Sequence, residues 1–362
     1  MARMENQPVV QKDRPLARHP QAFYLDADDR PAMTRYLRDR GWIDIDETVE
    51  SAAKPGDGNM NCTLRVVTGR RRLIVKQARP WVEKYDQIPA PWDRALVEAR
   101  FYETVADTVG VSQRMPRLLG VDPASRVLAL EDLGDRSRDL SDLYGGGTLA
   151  DAELEALVAF LCALHGAALD PAARAALTNR AMRALNHEYI FELPLAADGA
   201  VDLEALTPGL GRVAEPLTRD AGYRRIVAEL GQRYLADGSV LVHGDYFPGS
   251  WLRTGQGVKV IDPEFCFVGD PAFDLGVCAA HLIMASQPAT LPVRLLEAYE
   301  RQAPAGWDAD ARRRTLQFAG VEIMRRLIGV AQLPLRADLD RKAGWLERSR
   351  HLVLEPAPSL LS

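Results

Sequence analysis

Cysteine is scarce in this chain. Its four residues, Cys62, Cys162, Cys266 and Cys278, lie far apart and form no CxxC pair. That spacing indicates neither a zinc site nor a disulfide framework, and the four read as small buried hydrophobes. Long apolar runs are missing too: no stretch approaches the roughly 20 residues a bilayer span needs. The opening "MARMENQPVVQKDRP" lacks the apolar core of a signal peptide, so the expectation is a cytoplasmic protein with no membrane partner. Nor is there a block of charge of one sign. Net charge is −5 and basic residues alternate with acidic ones, which leaves no nucleic-acid footprint and makes a small molecule the expected partner. Internal repeats and low-complexity tracts are also absent. With 47% apolar and 26% charged residues over 362 positions, the chain has the composition of a folded globular protein.

What is present changes character along the chain. After a polar, irregular start, "RPAMTRYLRDRGWI" reads as a short amphipathic helix ending at Gly41. "CTLRVVTGRRRLIVKQA" is two β-branched runs about Thr68-Gly69-Arg70, the pattern of an antiparallel hairpin. The proline-punctuated "RPWVEKYDQIPAPW" reads as an ordered loop, and Leu96, Val97, Phe101 and Val105 recur at helical spacing between Asp93 and Val109. "RVLALEDLGD" is a further strand. From Thr148 onward helical spacing dominates, interrupted at 240–262 by short apolar runs flanking turns. The expected fold is α+β and bilobal: a small β-rich N-terminal lobe with one main helix, residues 1–132, and a larger, mainly helical lobe, residues 133–362.

One stretch suits neither helix nor strand. "LVHGDYFPGSW" sets two glycines and a proline around Asp245, and downstream "VKVIDPEF" brings Asp262 and Glu264. Carboxylates held close raise one another's pKa unless a cation compensates, which points to a magnesium site with one acid left free for proton transfer. The order His243, Asp245, Ser250, Asp262 also has the spacing of protein-kinase-like phosphotransferases. There an H-x-D aspartate receives the acceptor's hydroxyl proton, a metal-binding side chain follows five residues on, and a strand ends in a metal-binding Asp. Taken singly, Asp245 also reads as a turn residue accepting backbone hydrogen bonds. His243 reads as orienting the loop rather than performing chemistry.

Such a site needs parts from the other lobe. Lys76 ends an apolar run in "LIVKQA", and the following helix offers Glu98, with Glu103 a weaker choice, as its partner in clamping nucleotide phosphates. Lys76 alone also reads as a snorkelling edge-strand lysine. "GDGNMN", which contains Asn59, suits a tight turn whose amides approach phosphates. The backbone around Glu131, Asp132 and Leu133 is placed to hydrogen-bond an adenine.

These segments together resemble the aminoglycoside-phosphotransferase-like small-molecule kinases, and within them most of all the 5-methylthioribose kinases. The resemblance rests on "DGNMN", "IVKQARPWV", "WDRALVEAR", "LEDLG", "HGDYFPGS", "VIDPEF" with "FDLG", and "IMRRLIGVAQ", in the same order from about residue 56 to 334. "DPEF" in place of a DFG, and Ser250 in place of an Asn, are narrow features of the methylthioribose kinases. The resemblance implies a protein-kinase-like fold, ATP and Mg2+, Asp245 as catalytic base, and Asp262, Glu264 and Ser250 at the metal. It also implies Lys76 with Glu98 as the phosphate clamp, Asp274 as internal support, a sugar acceptor and a homodimer. Arg325 and Arg326 would face the acceptor, where a guanidinium fork suits a sugar or a phosphoryl group; one of the two also reads as pairing with a surface carboxylate. Phe247-Pro248 stands where those kinases carry His-Thr, which removes donors and stiffens the loop. A kinase of an aminoglycoside, choline or another amino-alcohol, and a nucleotide-binding pseudokinase, are the competing readings.

Overall fold

The computed structural model of the chain describes residues 21–56, 58, 60–196 and 201–361. Helix α1 (Arg30–Asp39) begins where the Asp29 carboxylate accepts from the Ala32 amide, with Pro31 in its first turn. Both features favour helix initiation. The chain then turns at Gly41, as the sequence suggests, in the left-handed region (φ +69°). The buried face of α1, Met33, Tyr36 and Leu37, joins Leu64, Val66 and Val75 of the sheet in one apolar cluster.

That sheet is antiparallel, with strands in the order β1 (Val49–Ala53), β2 (Cys62–Thr68), β3 (Arg72–Gln77), β7 (Val127–Glu131) and β6 (Leu118–Asp122). The β2–β3 hairpin forms where the sequence places it, and β2 alternates between buried and half-buried positions. The expected strand at 126–135 is confined to β7, because Gly134 adopts φ +102° and turns the chain away. The segment "RPWVEKYDQIPAPW" is not a loop throughout. Trp81–Val82 (β4) pairs with Tyr85–Pro89 (β5), prolines being tolerated on so short a two-stranded ribbon. The main helix, α2 (Arg94–Val105), stops before Val109; Thr108 leaves helical geometry (φ −85°, ψ 89°) and the chain restarts as the single turn α3 (Val109–Ser112).

Beyond β8 (Arg138–Asp139) the chain is mainly helical: α4 (Asp151–His165), α5 (Pro171–Ala176), α6 (Arg180–His187), α7 (Leu203–Leu206), α8 (Leu210–Thr218) and α9 (Ala221–Leu235). The β interruption is larger than its apolar runs suggest. β9 (Val240–Val242) pairs with β12 (Phe267–Gly269), and β10 (Trp251–Thr254) bridges β11 (Gly257–Val260) and β8. Helices α10 (Ala272–Met284), α11 (Thr290–Glu300), α12 (Ala309–Ile328) and α13 (Leu339–Leu354) complete the lobe. Among the described residues no helix is long and apolar enough to cross a membrane.

Helices α10 and α12 both carry residues of the site; α10 is buried throughout and α12 from Thr315 onward. Their spacing is set at Gly276, where a Cβ would stand 2.6 Å from the Cβ of Phe318 and 2.8 Å from the Thr315 carbonyl oxygen. A methyl there must push the helices apart. Gly276→Ala is therefore expected to lower stability by about 1–3 kcal/mol, the usual cost of overpacking, read as a lower urea midpoint. An unchanged midpoint would mean that the crossing is loose.

Candidate active site

The turn after β9 is held from below by Asp274, in the first turn of α10. This fully buried carboxylate (0% exposed) accepts from the amides of His243 (2.7 Å) and Gly244 (2.9 Å), and lies 3.2 Å from His165 Nε2. His165 is fixed in turn by the Tyr299 hydroxyl at 2.8 Å. Gly244 sits at φ +82°, and a Cβ on it would stand 2.1 Å from the Phe265 carbonyl oxygen. Only glycine passes there. His243 accepts the Asp245 amide at Nδ1 (3.4 Å), so its proton lies on Nε2, which donates to the Ile261 carbonyl (3.0 Å). Burial pushes its pKa down. A neutral ring tying one acid-bearing segment to the other is the orienting part expected of it.

Asp245, so placed, has its pKa raised to about 6. Burial is the main cause, with Arg326 and Arg325 opposing it and the Glu322 and Glu264 charges adding to it. Arg326 Nη2 lies 3.6 Å from Asp245 Oδ1. The Ser250 hydroxyl is buried and donates to the Asp245 carbonyl (2.9 Å), leaving its lone pairs free to ligate.

Across the cleft, Lys76 Nζ meets Glu98 (2.8 Å) and Asp262 (2.9 Å), with Glu264 at 4.0 Å. Burial alone would lower the lysine pKa, but Asp262, Glu98 and Glu264 outweigh it and hold the ammonium charged. Glu98 is thus the partner of the two acids considered; Glu103 pairs with Arg100 at the surface. Asp262 adopts left-handed backbone (φ 60°, ψ 54°), which an aspartate tolerates better than most residues. Glu264 Oε2 accepts from Asn61 Nδ2 (2.8 Å), and the buried Arg94 donates to Asn61 Oδ1 (2.9 Å). Asn59 falls outside the described residues. At the far end of β7, Glu131 pairs with Arg117 (3.3 Å) and Asp132 with Arg65 (2.9 Å), while the Leu133 carbonyl accepts from Ser137 (2.7 Å).

Arg325 and Arg326 lie on α12, and the expectation that one of them meets a surface carboxylate is corrected. Both are buried, and both donate to the buried Glu322, at 3.1 and 2.6 Å. A helix places residues three and four apart on one face, and that spacing was readable in "VEIMRR". Arg94, Asn61, His281 and Tyr144 are further parts of the site that carry no local sequence signal, since each gains its partner through the tertiary fold.

The donor set suits magnesium. Asp262, with 47% of its side chain exposed, Glu264 and Ser250 offer hard oxygens. Among the described residues no group of three or more His, Cys, Asp or Glu could hold a metal alone.

A lysine–glutamate pair in a β-rich lobe, facing an H-x-D turn and a strand-end aspartate, is the arrangement of a protein-kinase-like phosphotransferase. The fold is shared with spectinomycin phosphotransferase in complex with ADP and spectinomycin, at TM-score 0.53 and 12% identity, covering 90% of this chain and 98% of that one. The phosphotransferase enzyme family model matches residues 51–313. The chain belongs to that family and is a small-molecule kinase by class. It is 27% identical to a methylthioribose kinase from Exiguobacterium sibiricum over 84% of this chain and 86% of the relative. It is 30% identical to one from Erwinia tasmaniensis over 72% and 67%.

Removing Asp274 abandons two buried amides. Asp274→Ala is expected to cost about 1–3 kcal/mol for each abandoned donor, with Asp274→Asn, which keeps one acceptor oxygen, intermediate. Urea denaturation of the three proteins checks the order; equal midpoints would remove Asp274 as the anchor.

Proposed function

We propose that this protein transfers the γ-phosphoryl group of ATP to a hydroxyl of a small sugar, with 5-methylthioribose or a related 5-substituted or deoxy pentose as acceptor. The observation that carries this reading is the position of Asp245, a half-buried acid with its pKa raised to about 6, beside Arg326 and joined through the His243–Ile261 hydrogen bond to the Asp262 segment that meets Lys76. The names of the relatives support the acceptor class.

In this reading the adenine lies against the backbone of Glu131, Asp132 and Leu133, at a lobe boundary between 132 and 133, and the turn containing Asn59 approaches the phosphates. Lys76, fixed by Glu98, holds the α and β phosphates. Magnesium, when held by Asp262, Glu264 and Ser250 with the nucleotide phosphates, supplies neutralisation of charge on the transferring group. Asp245 orients the acceptor hydroxyl and takes its proton as the oxygen attacks in line. Arg325 and Arg326 donate to the sugar and to the phosphoryl oxygens. Arg325 Nε and Arg326 Nη2, buried and without a hydrogen-bond partner, call for an acceptor atom, which a hydroxyl supplies and an ammonium does not; that is the argument against an aminoglycoside, choline or another amino-alcohol. A role in methionine salvage, a cytoplasmic location and a homodimer accompany the methylthioribose reading.

The test is coupled ADP release with magnesium-ATP against 5-methylthioribose, ribose, 5-deoxyribose, choline and an aminoglycoside. Turnover confined to the pentoses is expected. Turnover confined to the amines would replace the acceptor, and silence on all with ATP still bound would leave a pseudokinase.

Asp245→Ala is expected to lose about 10²- to 10⁴-fold in turnover, the usual loss of a positioned general base, while ATP still binds in a titration. Near-normal turnover would remove Asp245 as the base. Because Asp245 must be ionised to accept a proton, kcat/KM should fall tenfold per pH unit below about 6 and level off above it. An acid limb near 4 would mean that the residue titrates as an ordinary carboxyl.

A further inference from the structure

Glu322 is the most heavily engaged carboxylate on the acceptor side of the cleft. It is 1% exposed, and its two oxygens serve three donors: Oε1 accepts from Arg326 Nε (2.6 Å) and His281 Nε2 (3.0 Å), Oε2 from Arg325 Nη1 (3.1 Å). Arg325 and Arg326 are consecutive, so their side chains leave α12 about 100° apart. A carboxylate one turn earlier is what gathers both guanidiniums to one side.

The proton inventory of the cluster is consistent. The Tyr144 hydroxyl lies 2.5 Å from His281 Nδ1, and the opposite ring nitrogen faces Glu322. Burial lowers the His281 pKa to about 4, so the ring is neutral, accepting from Tyr144 and donating to Glu322. The cationic side chains are then balanced, Arg325 and Arg326 against Glu322 and Asp245. Phe247 closes the remaining side. Its ring lies 4.9 Å from the Arg326 guanidinium and 5.1 Å from the His281 ring. That position is open because Gly249 has no Cβ, which would stand 2.5 Å from the phenyl edge.

Two donors are left over. Arg325 Nε and Arg326 Nη2 are buried without a hydrogen-bond partner, and Nη2 is the atom 3.6 Å from Asp245. Buried unpaired donors of this kind ask for a ligand. Their directions are set by the bonds the same guanidiniums make to Glu322.

We propose that Glu322 is a positioning residue for the acceptor site, aiming Arg325 and Arg326 at the acceptor, and that Tyr144 acting through His281 fixes Glu322 in turn. This rests on the functional reading above. Tyr144 belongs to the 3-10 segment Leu140–Gly145, just past β8, so the inference ties the chain leaving the β-rich lobe to the acceptor arginines. A Glu322 that merely neutralised buried charge would affect stability and not discriminate between the two substrates.

The experiment measures kcat and both KM values for the wild type, Glu322→Gln, Tyr144→Phe and the double variant, on the sugar that the wild type turns over best. Glu322→Gln keeps the shape and removes the charge. It is expected to lower kcat/KM for the sugar about 100-fold, as a misaimed group does, with KM for ATP within about two-fold of the wild type. Tyr144→Phe removes one hydrogen bond and should cost about five-fold on the same parameter. The double variant should be no worse than Glu322→Gln alone, the mark of residues acting in series. Sugar kinetics unchanged per folded enzyme, or equal losses for ATP and sugar, overturn the inference. If Glu322→Gln does not fold, Tyr144→Phe decides by the same criterion. A wild type that turns over no sugar overturns the functional reading and this inference with it, whereas an active wild type with an indifferent Glu322→Gln overturns the inference alone.

Discussion

An ionised carboxylate is tolerated out of water only where hydrogen bonds replace its hydration. Asp274 meets that condition with two consecutive backbone amides and a histidine, and in doing so fixes where the chain leaves β9. The consequences run outward. With the His243 and Gly244 amides pinned, the His243 ring reaches the Ile261 carbonyl, and the Ile261 amide returns to the Ser250 carbonyl at 3.0 Å. The segment bearing Asp245 and the segment bearing Asp262 therefore move as one body. Gly244 is the price of this closeness, since the Phe265 carbonyl leaves no room for a Cβ.

Charge is distributed unevenly over that frame. Lys76 and Arg94 lie among Glu98, Asp262 and Glu264, and burial raises the Glu98 pKa to about 7 despite the lysine beside it. Asp262 is the most exposed of the three carboxylates, with 47% of its side chain accessible. At the acceptor end the charges of Arg325, Arg326, Glu322 and Asp245 cancel, and what remains is unpaired donors.

Much of this was readable in the sequence because its signals are local. Two β-branched runs about Thr68-Gly69-Arg70 identified β2 and β3, and glycine and proline around Asp245 identified a turn that no helix would make. The order Lys76, Glu98, Asp245, Asp262 identified the class. Other features were not legible, for physical reasons. "VESAA" carries little strand propensity and "FVG" is too short to stand out, and both form strands through the neighbours that pair with them. Arg94 and Asn61 join Glu264 only once the lobes meet. Arg326 was read as facing the acceptor, yet its companion Glu322 was overlooked although it stands one helical turn before it. The helical spacing was visible, but that the face it defines is buried was not.

The same frame separates chemistry from recognition. Asp245 is positioned by its own neighbours in the chain, through Asp274 below and Ser250 beside it, and none of those contacts involves the side chain of Phe247. Phe247 instead lies on Arg326 and His281, so in the proposed reading an aromatic residue here changes the acceptor wall and not the hydrogen bonds that hold the Asp245 backbone. Pro248 adds to this independence. It fixes φ at the start of the short 3-10 turn that carries Ser250, and stiffens the segment between Phe247 and Ser250. Among the described residues Arg326 is the one link between the Phe247 ring and the acid, since it lies 3.6 Å from Asp245 and over that ring, so a change at Phe247 reaches the acid only through that guanidinium.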